Sequence, residues 1–221
     1  MLGYRGNENW RDMSEYLVHL TDVDAWGTIL RDHVIKAERP LGTATNLAEK
    51  GELDRTQHAL CLSEIPLDQL DRLVEQHGRL GIGFRRSFVR ERGGAPVWYV
   101  HRDTTDLAEA IQKVVGQAMV GGINPADPIW KLTPFIDKPG SGSWGRYEFE
   151  WEREWRVLGD LEFRVGNIEF LIIPEEDQPW LRERWAANFW ESMPPVIDIT
   201  WEMGRLQAAL IDYKLSEDEA A

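Results

Sequence analysis

Cysteine occurs once in the 221 residues, as Cys61. A single thiol excludes an internal disulfide framework and a cysteine-based zinc site. No apolar run approaches the roughly 20 residues that span a bilayer, so no transmembrane helix and no membrane partner are expected. The opening residues, MLGYRGNENWRDMSEY, are polar and lack the apolar centre of a signal peptide. These absences point to a cytoplasmic protein in a reducing compartment. Positive charge is scarce as well. With 25 Lys and Arg against 38 Asp and Glu, the formal net charge is −13. That balance excludes an extended nucleic-acid-binding face, which needs a basic field to neutralise phosphates.

Tryptophan is abundant, with 11 residues, and 43% of the chain is hydrophobic, which is enough for a globular core. The charge is unevenly spread. Residues 1–140 hold 17 basic against 20 acidic side chains, whereas residues 141–221 hold 8 against 18. A basic cluster, RLGIGFRRSFVRER, places Arg79, Arg85, Arg86, Arg90 and Arg92 in the near-neutral first part. A net acidic chain can therefore still offer one local anion site.

The pattern predicts a first strand over 16–20 that is buried on both sides, because its alternation is poor. Thr21 is then the expected N-cap of a helix carrying Val23, Trp26, Ile29 and Leu30 on one stripe. HALCLSE (58–64) reads as a strand, and Leu67 to His77 as a helix stopped by Gly78. LGIGF (80–84) and PVWYV (96–100) read as strands, and Thr104 or Thr105 caps a helix to Met119. IDKPGSGSWG (136–145) is expected to be a mobile flap without regular structure. Strands near 147–158 and 167–173 follow, then a Trp-rich helix near 177–190 and a last helix over 202–214. Strands and helices mix without a regular rhythm, so the expectation is one α+β domain over 1–221 with a central mixed sheet flanked by helices.

The segment YEFEWEREWRV (147–157) alternates strictly over eleven positions. A period of two predicts one continuous strand, with Glu148, Glu150, Glu152 and Glu154 on one face at roughly 7 Å intervals. Arg156 lies on the same face, and an Arg within a strand generally holds an anion, either a neighbouring carboxylate or a ligand. Four carboxylates so spaced are too far apart to share one ion, which disfavours a metal-dependent nuclease; no metal is expected. His19 has no metal-type partner spacing and defines no site alone. Gly81–Gly83 is too short for a nucleotide fingerprint. Cys61, in an apolar strand, reads as core and not as nucleophile.

In their order, His19–Thr21, Cys61–Leu67, His77–Gly83, Pro96–Tyr99 and Glu152–Arg156 resemble the AbiGi-type antitoxin family of abortive infection. The resemblance covers residues 16–160 and leaves a Trp-rich helical extension, 175–221, outside it. It implies a role in phage defence beside a partner toxin. More remotely, a His-x-Thr strand opening into a helix, with a late-strand glutamate, is similar to the ADP-ribosyltransferase-like fold. That second resemblance implies NAD as cofactor, with His19 and Thr21 holding a ribose and Arg85 or Arg86 meeting the pyrophosphate. Glu154 or Glu152 would then be catalytic, stabilising the positive charge that develops as the nicotinamide leaves. The alternative is a non-enzymatic antitoxin that neutralises its partner by binding. Its acidic half would mask a basic surface, and Trp180, Trp185 and Trp190 are candidate interface anchors.

Overall fold

Short apolar runs punctuated by Gly, Pro and Asp divide this chain into many brief elements. The computed structural model describes residues 14–102, 105–142, 145–184 and 193–210. The elements begin with β1 (Tyr16–Thr21), α1 (Val23–Asp32), β2 (Val34–Ile35), α2 (Thr43–Ala48), β3 (Ala59–Ser63), α3 (Asp71–His77) and β4 (Leu80–Arg85). Next come α4 (Arg86–Glu91), β5 (Ala95–Pro96), β6 (Trp98–Tyr99), α5 (Thr105–Met119), α6 (Ile129–Leu132) and β7 (Ile136–Asp137). The chain continues through β8 (Gly140–Gly142), β9 (Gly145–Tyr147), β10 (Glu154–Leu158), β11 (Leu161–Glu162), β12 (Ile168–Ile172), α7 (Gln178–Arg184) and β13 (Val196–Ile197).

Seven strands form one sheet in the order β13-β12-β4-β1-β3-β10-β5. β1 pairs antiparallel with β4 and β3, and β12 runs parallel to β13. The sheet is mixed, and the α+β class read from the sequence is the one adopted. Two compact units emerge: residues 1–34, 62–89 and 162–221, and residues 35–61 and 90–161. The boundary falls within β3, between Cys61 and Leu62.

In the first unit the register of β1 on β4 sets the two faces. Val18 lies opposite Gly83 and Leu20 opposite Gly81. That face forms a core with Leu70, Leu73, Phe170, Ile172, Ile197 and Leu206. Gly83 is required there, because a Cβ would collide with the ring of Phe170. The GIG segment therefore serves sheet packing. The other face carries Leu17, His19 and Thr21 of β1 opposite Phe84, Ile82 and Leu80 of β4. Trp26 of α1 is fully buried, and its indole N–H donates to the carbonyl of Gly81 at 3.3 Å.

The second unit is built on α5. Ile111 and Val115 are buried with Leu47, Leu53, Val100, Trp130 and Ile136, while Ala108, Ala118 and Met119 pack partly against them. Positions 108, 111, 115, 118 and 119 form the single stripe expected of an amphipathic helix.

Several local expectations are corrected. The N-cap of α1 is Asp22, whose Oδ1 accepts from the backbone N–H of Asp24 at 3.0 Å and of Ala25 at 2.8 Å. Thr21 is still extended and paired with Leu80, so the cap falls one residue later. The helix expected over 67–77 opens as a 3₁₀ turn at Leu67–Gln69, and α3 then ends at Gly78, whose φ of 99° few other residues tolerate. PVWYV splits into the ends of β5 and β6. The flap expected over 136–145 instead contains β7 and a hairpin, with Gly140 opposite Tyr147 and Gly142 opposite Gly145. A hairpin needs only backbone donors and acceptors, which glycine keeps. Of the expected Trp-rich helix, Gln178–Arg184 is helical and Trp180 is exposed, while Trp185 and Trp190 lie outside the described residues. The last expected helix is observed over 203–210, and its remainder is also outside them.

The largest correction concerns 147–157. It is not one strand: β9 ends at Tyr147, a 3₁₀ turn occupies Glu150–Glu152, and β10 starts at Glu154. Between turn and strand, Arg153 adopts the left-handed conformation with φ 49°. Both ends of the segment are tied to one place. The Tyr147 hydroxyl donates to Asp137 Oδ2 at 2.7 Å, and the Glu154 N–H donates to the Tyr99 hydroxyl at 3.0 Å. Tyr99 and Asp137 are direct partners in the β6–β7 pair. A straight strand would carry residues 147 and 154 about 23 Å apart. Folding the chain back at 150–153 lets both reach the same spot, and it dissolves the expected glutamate row. Glu148 is exposed, Glu150 meets His101 at 2.8 Å, Glu152 is buried, and Glu154 turns to Arg156.

Candidate functional site

The basic cluster of the first unit is answered by carboxylates from distant segments. Arg85 Nε donates to Glu169 at 2.7 Å, and Arg86 Nη1 donates to the buried Glu64 at 2.9 Å. Arg79 spans Glu176 at 2.8 Å and Asp177 at 2.9 Å. Burial works against the charge on Arg85, but its hydrogen bond to Glu169 outweighs this and holds the guanidinium firmly protonated. Three of these carboxylates, Glu169, Glu176 and Asp177, come from the acidic last part of the chain. The uneven charge of the sequence thus becomes complementary once folded.

The four residues assigned to NAD by resemblance all lie in this unit, but not on one face. Directly opposed residues of an antiparallel pair point to the same side, and successive residues alternate. Tyr16 opposes Arg85 and His19 opposes Ile82, so Arg85 and His19 lie on opposite faces of the sheet. His19 and Thr21 share one face and are half-buried. Arg86 opens α4, where its backbone N–H donates to the carbonyl of Glu15 at 2.9 Å. Glu152 and Glu154 belong to the second unit.

In that second unit, β10 places a buried ionic cluster. Arg156 is 1% exposed and framed on every nitrogen. Its Nε and Nη2 reach the two carboxylate oxygens of Glu154 at 2.8 and 2.9 Å, and Nη1 donates to the carbonyls of Pro134 and Leu41. Asp137, also 1% exposed, lies 3.6 Å from Nη2 and accepts from the Tyr147 hydroxyl and the Lys138 N–H. Burial opposes the charge on Arg156, but Glu154 outweighs it, with Cys61 and Asp137 adding to the effect. Burial raises the Tyr147 hydroxyl pKa, and its bond to Asp137 raises it further. Tyr99 is raised mainly by burial. Both phenols stay protonated across the neutral range. Cys61 keeps some exposed surface, yet burial of its thiol, followed by the Glu154 charge, pushes the thiol well above its usual range. That suits packing and not nucleophilic attack.

An arginine on a strand holding a carboxylate was expected, and Arg156 with Glu154 is such a pair. The sequence did not reveal Asp137, Tyr147 and Tyr99 as its framework, because they converge from segments far apart in the chain. Glu169 left a faint signal, a lone acid within the apolar run IEFLI. Among the described residues, no group of three or more His, Cys, Asp or Glu is placed to hold a metal ion, and no helix is long and apolar enough to cross a membrane.

Fold and site together define a class: an α+β protein in which Arg85, Arg86 and Arg156 are paired with carboxylates of its own chain. A family model described as "Putative abortive phage resistance protein AbiGi, antitoxin" matches residues 42–188. The chain belongs to this family, as the resemblance implied, and with it to a setting of phage defence and partner toxins; the match begins after His19–Thr21 and extends into the 175–221 segment that the resemblance left outside. Neither the curated proteins nor the solved structures contain a match.

Proposed function

We propose that this chain is a cytoplasmic antitoxin that neutralises a partner toxin by binding it, without chemistry of its own. The observation that carries this reading is the internal pairing of the charges that NAD chemistry would draw on. Arg85 is held by Glu169, Arg86 by Glu64, and both oxygens of Glu154 by Arg156. A pyrophosphate at Arg85 or Arg86 would have to displace a bound carboxylate, and breaking such a charge-assisted pair opposes ligand binding. Binding to a protein surface makes no such demand. The rival reading, an NAD-consuming ADP-ribosyltransferase with His19 and Thr21 at the ribose, is decided by the same experiment.

The full chain is co-expressed with the protein encoded beside it, and growth, complex formation and NAD turnover are measured. Relief of growth arrest, a complex stable through gel filtration and no NAD loss with the purified chain are the expected results. NAD hydrolysis or protein-linked ADP-ribose produced by the chain alone would overturn the proposal in favour of the enzyme. Protection without any complex would also sink it.

A further inference from the structure

We infer that the second unit carries a binding site for a small phosphomonoester of about nucleotide size, in the cavity between the turn at 54–58 and the loop leading into α6. This inference is independent of the antitoxin reading. The cavity has a volume of about 330 Å³ and is lined by Arg55, His58, Asp127, Trp130, Lys131 and Leu158, among others. That volume falls at the lower end of small-ligand sites.

Its walls are fixed before any ligand arrives. Gln57 is fully buried; its Nε2 donates to the Trp130 carbonyl at 3.1 Å, and its Oε1 accepts from the Thr133 hydroxyl at 2.7 Å. This joins the 54–57 turn to α6. The Trp130 indole N–H donates to the Asn124 carbonyl at 2.8 Å, which pins the loop, and the Gly159 N–H donates to the His58 carbonyl at 3.1 Å. Three segments are thereby locked around one space. A ligand entering it does not have to order the chain first.

Several cationic side chains elsewhere are held by carboxylates. Lys36 is paired with Asp160 at 2.7 Å, and Arg39, Arg79, Arg85, Arg86 and Arg156 each hold a carboxylate. Among the described residues, neither Arg55 nor Lys131 forms such an ion pair. His58 lies 3.5 Å from Asp54, which is already held by Arg39 at 2.8 Å. Asp127, the carboxylate in the lining, accepts from the Ile129 N–H at 3.0 Å. In a chain of net charge −13, the hollow is therefore lined by two cations that form no ion pair among the described residues, beside the carboxylate of Asp127. Guanidinium and ammonium groups together suit a phosphate dianion, the first through its planar fork and the second as a point charge. Pro125, Ala126 and Leu158 add an apolar side for the organic part of the ligand.

The test is calorimetric titration of the full chain with AMP, inorganic phosphate and adenosine. AMP is expected to bind saturably, inorganic phosphate more weakly, and adenosine not at all. Arg55→Ala with Lys131→Ala should weaken AMP binding at least about tenfold, which corresponds to about 1.4 kcal/mol. Both residues are exposed, so the circular dichroism spectrum should be unchanged; Lys131→Gln alone serves as a milder second variant. Lys113→Ala, an exposed cation on α5 outside the cavity, should leave binding intact. Inorganic phosphate binding as tightly as AMP would reassign the site to the free anion and overturn the phosphomonoester. Adenosine binding as tightly as AMP, no saturable AMP binding, or an equal loss in Lys113→Ala would overturn the site itself.

Discussion

Glu154 and Arg156, two residues apart on β10, form a two-bonded carboxylate–guanidinium pair at 2.8 and 2.9 Å, with the guanidinium 1% exposed. The expected consequence is structural. Removing one partner of a buried pair strands the other charge, so Glu154→Ala should cost about 3–5 kcal/mol in urea unfolding. Glu169→Ala, whose partner Arg85 is 40% exposed at its side chain, should cost no more than about 1 kcal/mol. Equal costs for the two variants would contradict the assigned role of the buried cluster.

The start of α1 offers a second comparison. Asp22→Ala removes the oxygen that accepts from Asp24 and Ala25 and should destabilise by about 1 kcal/mol. Thr21→Val keeps the β1–β4 ladder and should change stability by less than about 0.5 kcal/mol. Thermal unfolding of both variants checks the assignment, which fails if the Thr21 change is the costlier one.

Asp160 gives a pH dependence with a definite sign. Its carboxylate accepts from Lys36 Nζ at 2.7 Å and the Ala37 N–H at 2.8 Å, and the Lys36 bond, followed by the Ala37 bond, holds its pKa below 3.8. The ionised form is thus favoured by the fold. The stability gained is complete above the unfolded value of 3.8 and is lost as pH falls through the lower folded value. The melting-temperature gap between wild type and Asp160→Asn should therefore be small, because the site is exposed, and should close below that range. A gap that widens on acidification would refute the pairing.

Cys61 is the only cysteine, which makes its reactivity simple to read. Burial and the nearby Glu154 carboxylate keep its thiol protonated at neutral pH. Alkylation by iodoacetamide should be slow in the native protein and fast in denaturant, because the thiolate is the reacting species. Equal rates in the two states would show an accessible thiolate and contradict its enclosure.

Much of the fold was legible from local pattern. The runs 16–20, 58–64, 80–84 and 167–173 were read as strands, and β1, β3, β4 and β12 fall within a residue or two of them. α5 ends at Met119 as its periodicity predicts, and Gly78 stops α3 because its positive φ suits glycine. The site was far less legible. Strict alternation over 147–157 indicated one strand, yet Tyr147 and Glu154 are both drawn toward the Tyr99–Asp137 pair, and the chain turns back between them.

By itself the sequence determined the acidic balance, the single thiol, the α+β class and the family, since composition and motif order are properties of the chain. Only the tertiary structure decided which charges meet. Arg86 finds Glu64, Arg85 finds Glu169, and Arg156 is enclosed with Asp137, across separations of 22, 84 and 19 positions. The physical reason is that hydrophobic periodicity reports which face of an element is buried. It carries no record of which distant segment supplies the counter-charge, and that partner decides whether an arginine is free for a ligand or already spent on the fold.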